Sequence, residues 1–179
     1  MDTFLAIEEL SLFLCQNFRK MIQRIQTVFL FLVAAAMILV VVFPIWHQVN
    51  PGQTEMMTLT AWQLETVDTA TNDVLISASR PVAGILAILT AGLAIFSLLQ
   101  YRNRTKQMFL NMINSLLMVV NIGVIIYISH TANAEFNPNV SGAFVTGFWA
   151  IFGGMICNLL ANRFIRKDEL LVRSVDRIR

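Results

Sequence analysis

Four stretches of this chain carry no Asp, Glu, Lys or Arg: residues 25–46, 81–99, 108–128 and 143–162. A helix rises about 1.5 Å per residue, so runs of this length cross a hydrocarbon core of roughly 30 Å. No arrangement in water buries four such segments within 179 residues, since little else is left to cover them. Composition agrees. Charged residues make up 13% and hydrophobic ones 56%, against roughly 25% charged in an ordinary soluble domain. The expected fold is an all-α membrane protein, a bundle of four transmembrane helices.

The charges outside these runs are sorted by side. Arg19, Lys20 and Arg24 precede the first; Arg102, Arg104 and Lys106 lie between the second and third; the remaining cations but one follow the fourth. Only Arg80 sits on the other side, with Glu55, Glu65, Asp68, Asp73 and Glu135. Cations remain on the cytoplasmic face, so the pattern predicts both termini and the link Tyr101–Gln107 on the cytoplasmic side of a membrane, and both longer loops outside.

Residues 1–20 precede this core and interrupt their apolar pattern at Glu8 and Glu9. They lack the basic start and small-residue cleavage site of a secretory signal. They read either as a start-site artefact ahead of Met21 or as a functional extension. Residues 21–162 form the expected membrane domain. In the outer segment 47–81, Pro51-Gly52 marks a turn. Met57, Leu59 and Ala61 then alternate with Thr58, Thr60 and Trp62, a strand period. Thr71-Asn72-Asp73 reads as a second turn, after which Val74, Ile76 and Ala78 resume the alternation. A small extracytoplasmic β-hairpin is expected. Residues 163–179 predict a basic amphipathic helix continuing from the fourth span.

Small residues recur at helical spacing in the second span (Ala83, Ala87, Ala91) and the fourth (Ala143/Gly147, Ala150/Gly154). They allow close helix packing in lipid. Five asparagines interrupt the apolar runs: Asn111, Asn114 and Asn121 on one face of the third span, Asn158 and Asn162 in the fourth. An unpaired amide in hydrocarbon is costly, so these side chains should turn inward and bond across helices. They read as interhelical ties or as the lining of a polar ligand pocket. No ionisable group lies within a span, which counts against ion-coupled transport.

His47 and His130 fall at the outer ends of spans one and three, where they are either interfacial or a facing ligand pair. The acidic residues of the outer segment match no calcium loop. Asn139-Val140-Ser141 matches a glycosylation acceptor, a pattern frequent by chance. Cys15 and Cys157 make no disulfide framework. No phosphate loop, nucleophilic triad or metal-ligand set stands out, so no catalytic residue, cofactor or metal is assigned. In the tail, Arg166, Lys167, Arg173 and Arg177 suit anionic headgroups or a cytosolic partner. Asp168, Glu169 and Asp176 interrupt these cations, against nucleic-acid binding.

Three stretches, MIQRIQTVFLFL from Met21, IFSLLQYRNRTKQ around the central link and the tail RFIRKDELLVRSVDRIR, resemble a Bacteroidota family of inner-membrane proteins, domain-of-unknown-function family four-two-nine-three. The resemblance implies four spans in a Gram-negative inner membrane and supplies no activity. The expected role is a non-enzymatic scaffold or accessory subunit, with membrane lipids and a membrane-protein partner or second copy as contacts. The alternative is a small-molecule or lipid-handling protein using an Asn-lined cytoplasmic cavity.

Overall fold

Pro44 stops the first helix. In the computed structural model, which describes residues 25–100 and 103–176, α1 spans Ile25–Val42, ending where a proline ahead disfavours further helical backbone. Three more helices follow: α2 (Val82–Leu99), α3 (Arg104–Phe136) and α4 (Thr146–Asp176). All four are long and apolar enough to cross a membrane, the signature of a membrane protein. Pro81 sits at the N-cap of α2, where its missing N–H costs no helical hydrogen bond.

The helices pack in a ring in which α1 meets α2 and α4, and α3 completes the circuit between α2 and α4. The α1–α4 contact is the most extensive. There Gly154 lies so close to α1 that a Cβ would stand 3.2 Å from Ala36 Cβ and 3.2 Å from Met37 Cε. The small residues of α2 and α4 therefore serve different neighbours. Ala83, Ala87 and Ala94 are fully buried, and a Cβ on Gly84 would meet the Ala61 carbonyl oxygen and the Trp62 ring.

The expectation of an all-α bundle with one small hairpin is corrected. Five strands, β1 (Trp46–Val49), β2 (Glu55–Leu59), β3 (Gln63–Asp68), β4 (Val74–Ser79) and β5 (Ala143–Phe144), form one sheet in the order β4-β3-β2-β1-β5. Every neighbouring pair is antiparallel. Of β1 only Trp46 falls within the expected first span, with His47–Val49 in the outer segment. β5 lies wholly within the expected fourth span, because Ala143 and Phe144 are as apolar as the helix they adjoin. The alternation at Met57–Trp62 breaks after Leu59. Thr60 closes a tight turn there, its N–H donating to the Gln63 carbonyl at 2.9 Å and its hydroxyl oxygen accepting from the Gln63 N–H at 3.2 Å. The turn at Thr71–Asp73 is present. Asp68 Oδ1 accepts from the N–H groups of Ala70 and Thr71, and Asn72 takes a φ of 61°, which asparagine tolerates.

One face of the sheet closes on the helices through Trp46, Gln48, Leu59, Leu64 and Thr66, all buried. Gln48 donates from Nε2 to the carbonyls of Asn137 and Val140, tying β1 to the chain that follows α3. Gly142 fits under Trp46, whose indole would overlap any Cβ there. Beyond the expected limit of the third span, α3 continues through Ser129-His130-Thr131-Ala132-Asn133 to Phe136. Ser129 and Ala132 are buried at this end, and Asn133 Oδ1 accepts from the Gly142 N–H at 3.0 Å. α4 runs unbroken from Thr146 to Asp176. Residues 1–20, Arg24 and Arg102 lie outside the described residues, as do residues 177–179 of the tail.

Candidate functional site

The buried positions of α3 are Gln107, Asn111, Asn114, Met118, Asn121, Ile125, Ser129 and Ala132. Their spacing of three and four is that of a helix seam, yet half of it is amide. The opposite face is apolar and open. Asn111 and Asn121 are 0% exposed, whereas Phe109 is 62% and Leu116 63% exposed. A helix dissolved in water has these faces the other way round. An inside-out helix is stable where the surrounding medium is itself apolar.

Asn111 is the junction of this seam. Ser97, at the end of α2, donates its hydroxyl to Asn111 Oδ1 at 2.6 Å. From α4, Asn158 Nδ2 donates to the Asn111 carbonyl and to Ser115 Oγ, each at 2.8 Å. Three helices are thus fastened at one level. Asn114 and Asn121, on the same face, make no side-chain bond among the described residues: both amide atoms of each are buried without a partner. Gln26 of α1 is in the same condition, and Gln107 Oε1, Asn111 Nδ2, Asn158 Oδ1 and Asn162 Oδ1 add to the set. Phe29 stacks on Phe164 with ring centroids 5.5 Å apart, which brings the first turns of α1 beside α4.

Of the five amides singled out from sequence, Asn111 and Asn158 are brought into direct contact and Asn114, Asn121 and Asn162 are not. Sequence reasoning missed Ser97, Ser115, Gln107 and Gln26. Gln107 continues the Asn111/Asn114 spacing backward by one turn and was lost only because the third span was started at Met108. Arg166 and Lys167 are exposed on α4. Arg173 lies on the same continuous helix, and Arg177 is outside the described residues.

The histidines are far apart in role. His47 is half-buried in β1, while His130 is exposed on α3 and borders a recess with Trp46, Asn133, Ser141 and Phe144. Among the described residues no three His, Cys, Asp or Glu side chains gather as a metal site. Cys157 is half-buried and unpaired.

Length, hydropathy and the inverted polarity of α3 place the molecule among membrane proteins built as helical bundles. The family is narrower still. A family model described as a domain of unknown function (DUF4293) matches residues 22–178, and the chain belongs to that family, as its three diagnostic stretches implied. No curated protein matches it.

Proposed function

We propose that the protein is a non-enzymatic four-span subunit of a bacterial inner-membrane assembly, with both termini in the cytoplasm. The observation that carries this reading is the difference between the two edges of its sheet. β5 is two residues long. β4 is six residues long, has β3 on one side and no strand among the described residues on the other. Val74, Leu75 and Ile76, which point to both faces of β4, are each at least half exposed. Bare edges of this length are normally shortened, charged or covered because they recruit further strands. An extended segment of a partner polypeptide supplies what β4 lacks: ladder hydrogen bonds and apolar side chains on alternate faces.

Extraction in mild detergent after crosslinking in native membranes should recover a partner chain in fixed ratio. Ile76→Lys should remove it while the protein still inserts. Recovery of the same partner with this variant would overturn the β4 assignment. A reporter fused after Lys106 should read out on the cytoplasmic side, and an outside signal would overturn the orientation.

The unpartnered amides favour a second reading, in which the Asn-lined half of the bundle handles a small polar molecule or lipid. Asn114→Leu with Asn158→Leu separates the two: a subunit that still folds keeps its partner, whereas a ligand handler loses its activity.

A further inference from the structure

The loop end of the α2–α3 hairpin holds a groove of about 470 Å³ lined by Phe96, Gln100, Thr105, Lys106, Phe109 and Leu110. Its chemistry is graded. Phe96 and Phe109, 54% and 62% exposed, form apolar walls on the same outward face that meets the surrounding medium. Gln100, Thr105 and Lys106 gather at the hairpin end, offering an amide, a hydroxyl and an ammonium group. Along the α2–α3 hairpin the sequence carries charge of one sign. Residues 74–134 contain no Asp or Glu, and among the described residues no carboxylate pairs with Lys106. Arg104 stands two positions away on α3.

A cation and two neutral donors above an apolar wall match one kind of molecule, an amphiphile with a phosphate at its polar end. We propose that this groove is a binding site for an anionic phospholipid. Its phosphate meets Lys106, Thr105 and Gln100, and its acyl chain lies along Phe96, Phe109 and Leu110. The net negative charge matters because a zwitterionic headgroup brings its own cation beside Lys106. Lys106 acts as a point charge with three donors, the usual manner in which lysine holds a phosphate. The site is separate from the asparagine seam, since it opens outward between α2 and α3 while the seam faces inward. It rests on the reading that the hairpin lies at a membrane surface.

The test is native mass spectrometry of the full chain purified in detergent and supplied with equal amounts of phosphatidylglycerol and phosphatidylcholine. One phosphatidylglycerol should remain bound as detergent is stripped, several-fold in preference to phosphatidylcholine. Lys106→Ala should lower that preference at least threefold, Lys106→Arg should largely keep it, and Arg163→Ala, at an exposed cation of α4, should leave it unchanged. Equal retention of the two lipids, or equal losses from the Lys106→Ala and Arg163→Ala variants, would overturn the site and identify only general attraction of anionic lipid to cations. If Lys106→Ala does not fold, Phe109→Trp provides a second measurement. Brominated phosphatidylglycerol should quench its fluorescence more strongly than brominated phosphatidylcholine, and equal quenching would overturn the proposal. Failure of the membrane reading is distinguishable: the protein would then leave the membrane fraction in an alkaline carbonate wash, whatever lipid it carried.

Discussion

The contact between α1 and α4 and the contacts of α3 with its neighbours join helices by different means. The first is made by shape. Val33, Met37 and Val40 of α1 and Ile151 of α4 are fully buried, and Gly154 lets the backbones approach. The second is made by hydrogen bonds, with Asn111 joined to Ser97 and Asn158. Apolar medium explains why both are needed. Lipid tails are as apolar as leucine, so burying leucine between helices gains little, and what remains is close packing or polar bonding. Shape tolerates no added volume. Hydrogen bonding tolerates it better but is sensitive to the loss of a single donor.

The largest effect should come from the shape-made contact. Gly154→Val should destabilise the protein by about 1–3 kcal/mol, the range for overpacking a filled interior, read as a lowered unfolding temperature in detergent. Its neighbour supplies the control. A Cβ on Gly153 would meet nothing within 4 Å, so Gly153→Ala should be neutral or should stabilise by about 0.5–1 kcal/mol through helix propensity. Equal losses from the two variants would show that the α1–α4 contact is not made by fit.

Next in size is Asn158→Leu. It removes two interhelical hydrogen bonds, worth on average about 0.6 kcal/mol each in an apolar bundle, or roughly 1 kcal/mol together. Thermal unfolding beside wild type measures it, and no change would remove the distinction between the two contacts. The smallest effect, and the sharpest, is Asn114→Leu. Both amide atoms of Asn114 are buried without partners. Replacing an unsatisfied polar group by an apolar one of similar size should be neutral or stabilising. A marked loss of stability would mean that Asn114 belongs to the fastening of the bundle.

The helices were legible because nothing else in the chain is both long and free of charge. The inward turn of Asn111 and Asn158 was legible for the same reason, since an amide in an apolar run has only the interior to face. The sheet was half legible. Thr71–Asp73 announces a turn and Val74–Ala78 a strand. Gln63–Asp68, by contrast, hides its alternation behind Glu65 and Asp68, Trp46–Val49 is too short to show a period, and Ala143–Phe144 merges with the span beside it. The continuation of α3 past Ile128 was hidden too. Once a helix leaves the apolar medium it can be as polar as Ser129–Phe136, and its persistence depends on the sheet it packs against. Which helix meets Gly154 was not readable at all, because a small residue records that something comes close and not what.

The two long helices overshoot in opposite directions. α3, with 33 residues, is about 50 Å long and projects at the sheet end. α4, with 31 residues, projects at the hairpin end, and Asn158 clamps it to α3 in between. The bond from Asn158 to the Asn111 carbonyl joins the two rods between their free ends, so the one bundle carries a stem on each side: α3 under the sheet and α4 beyond the hairpin.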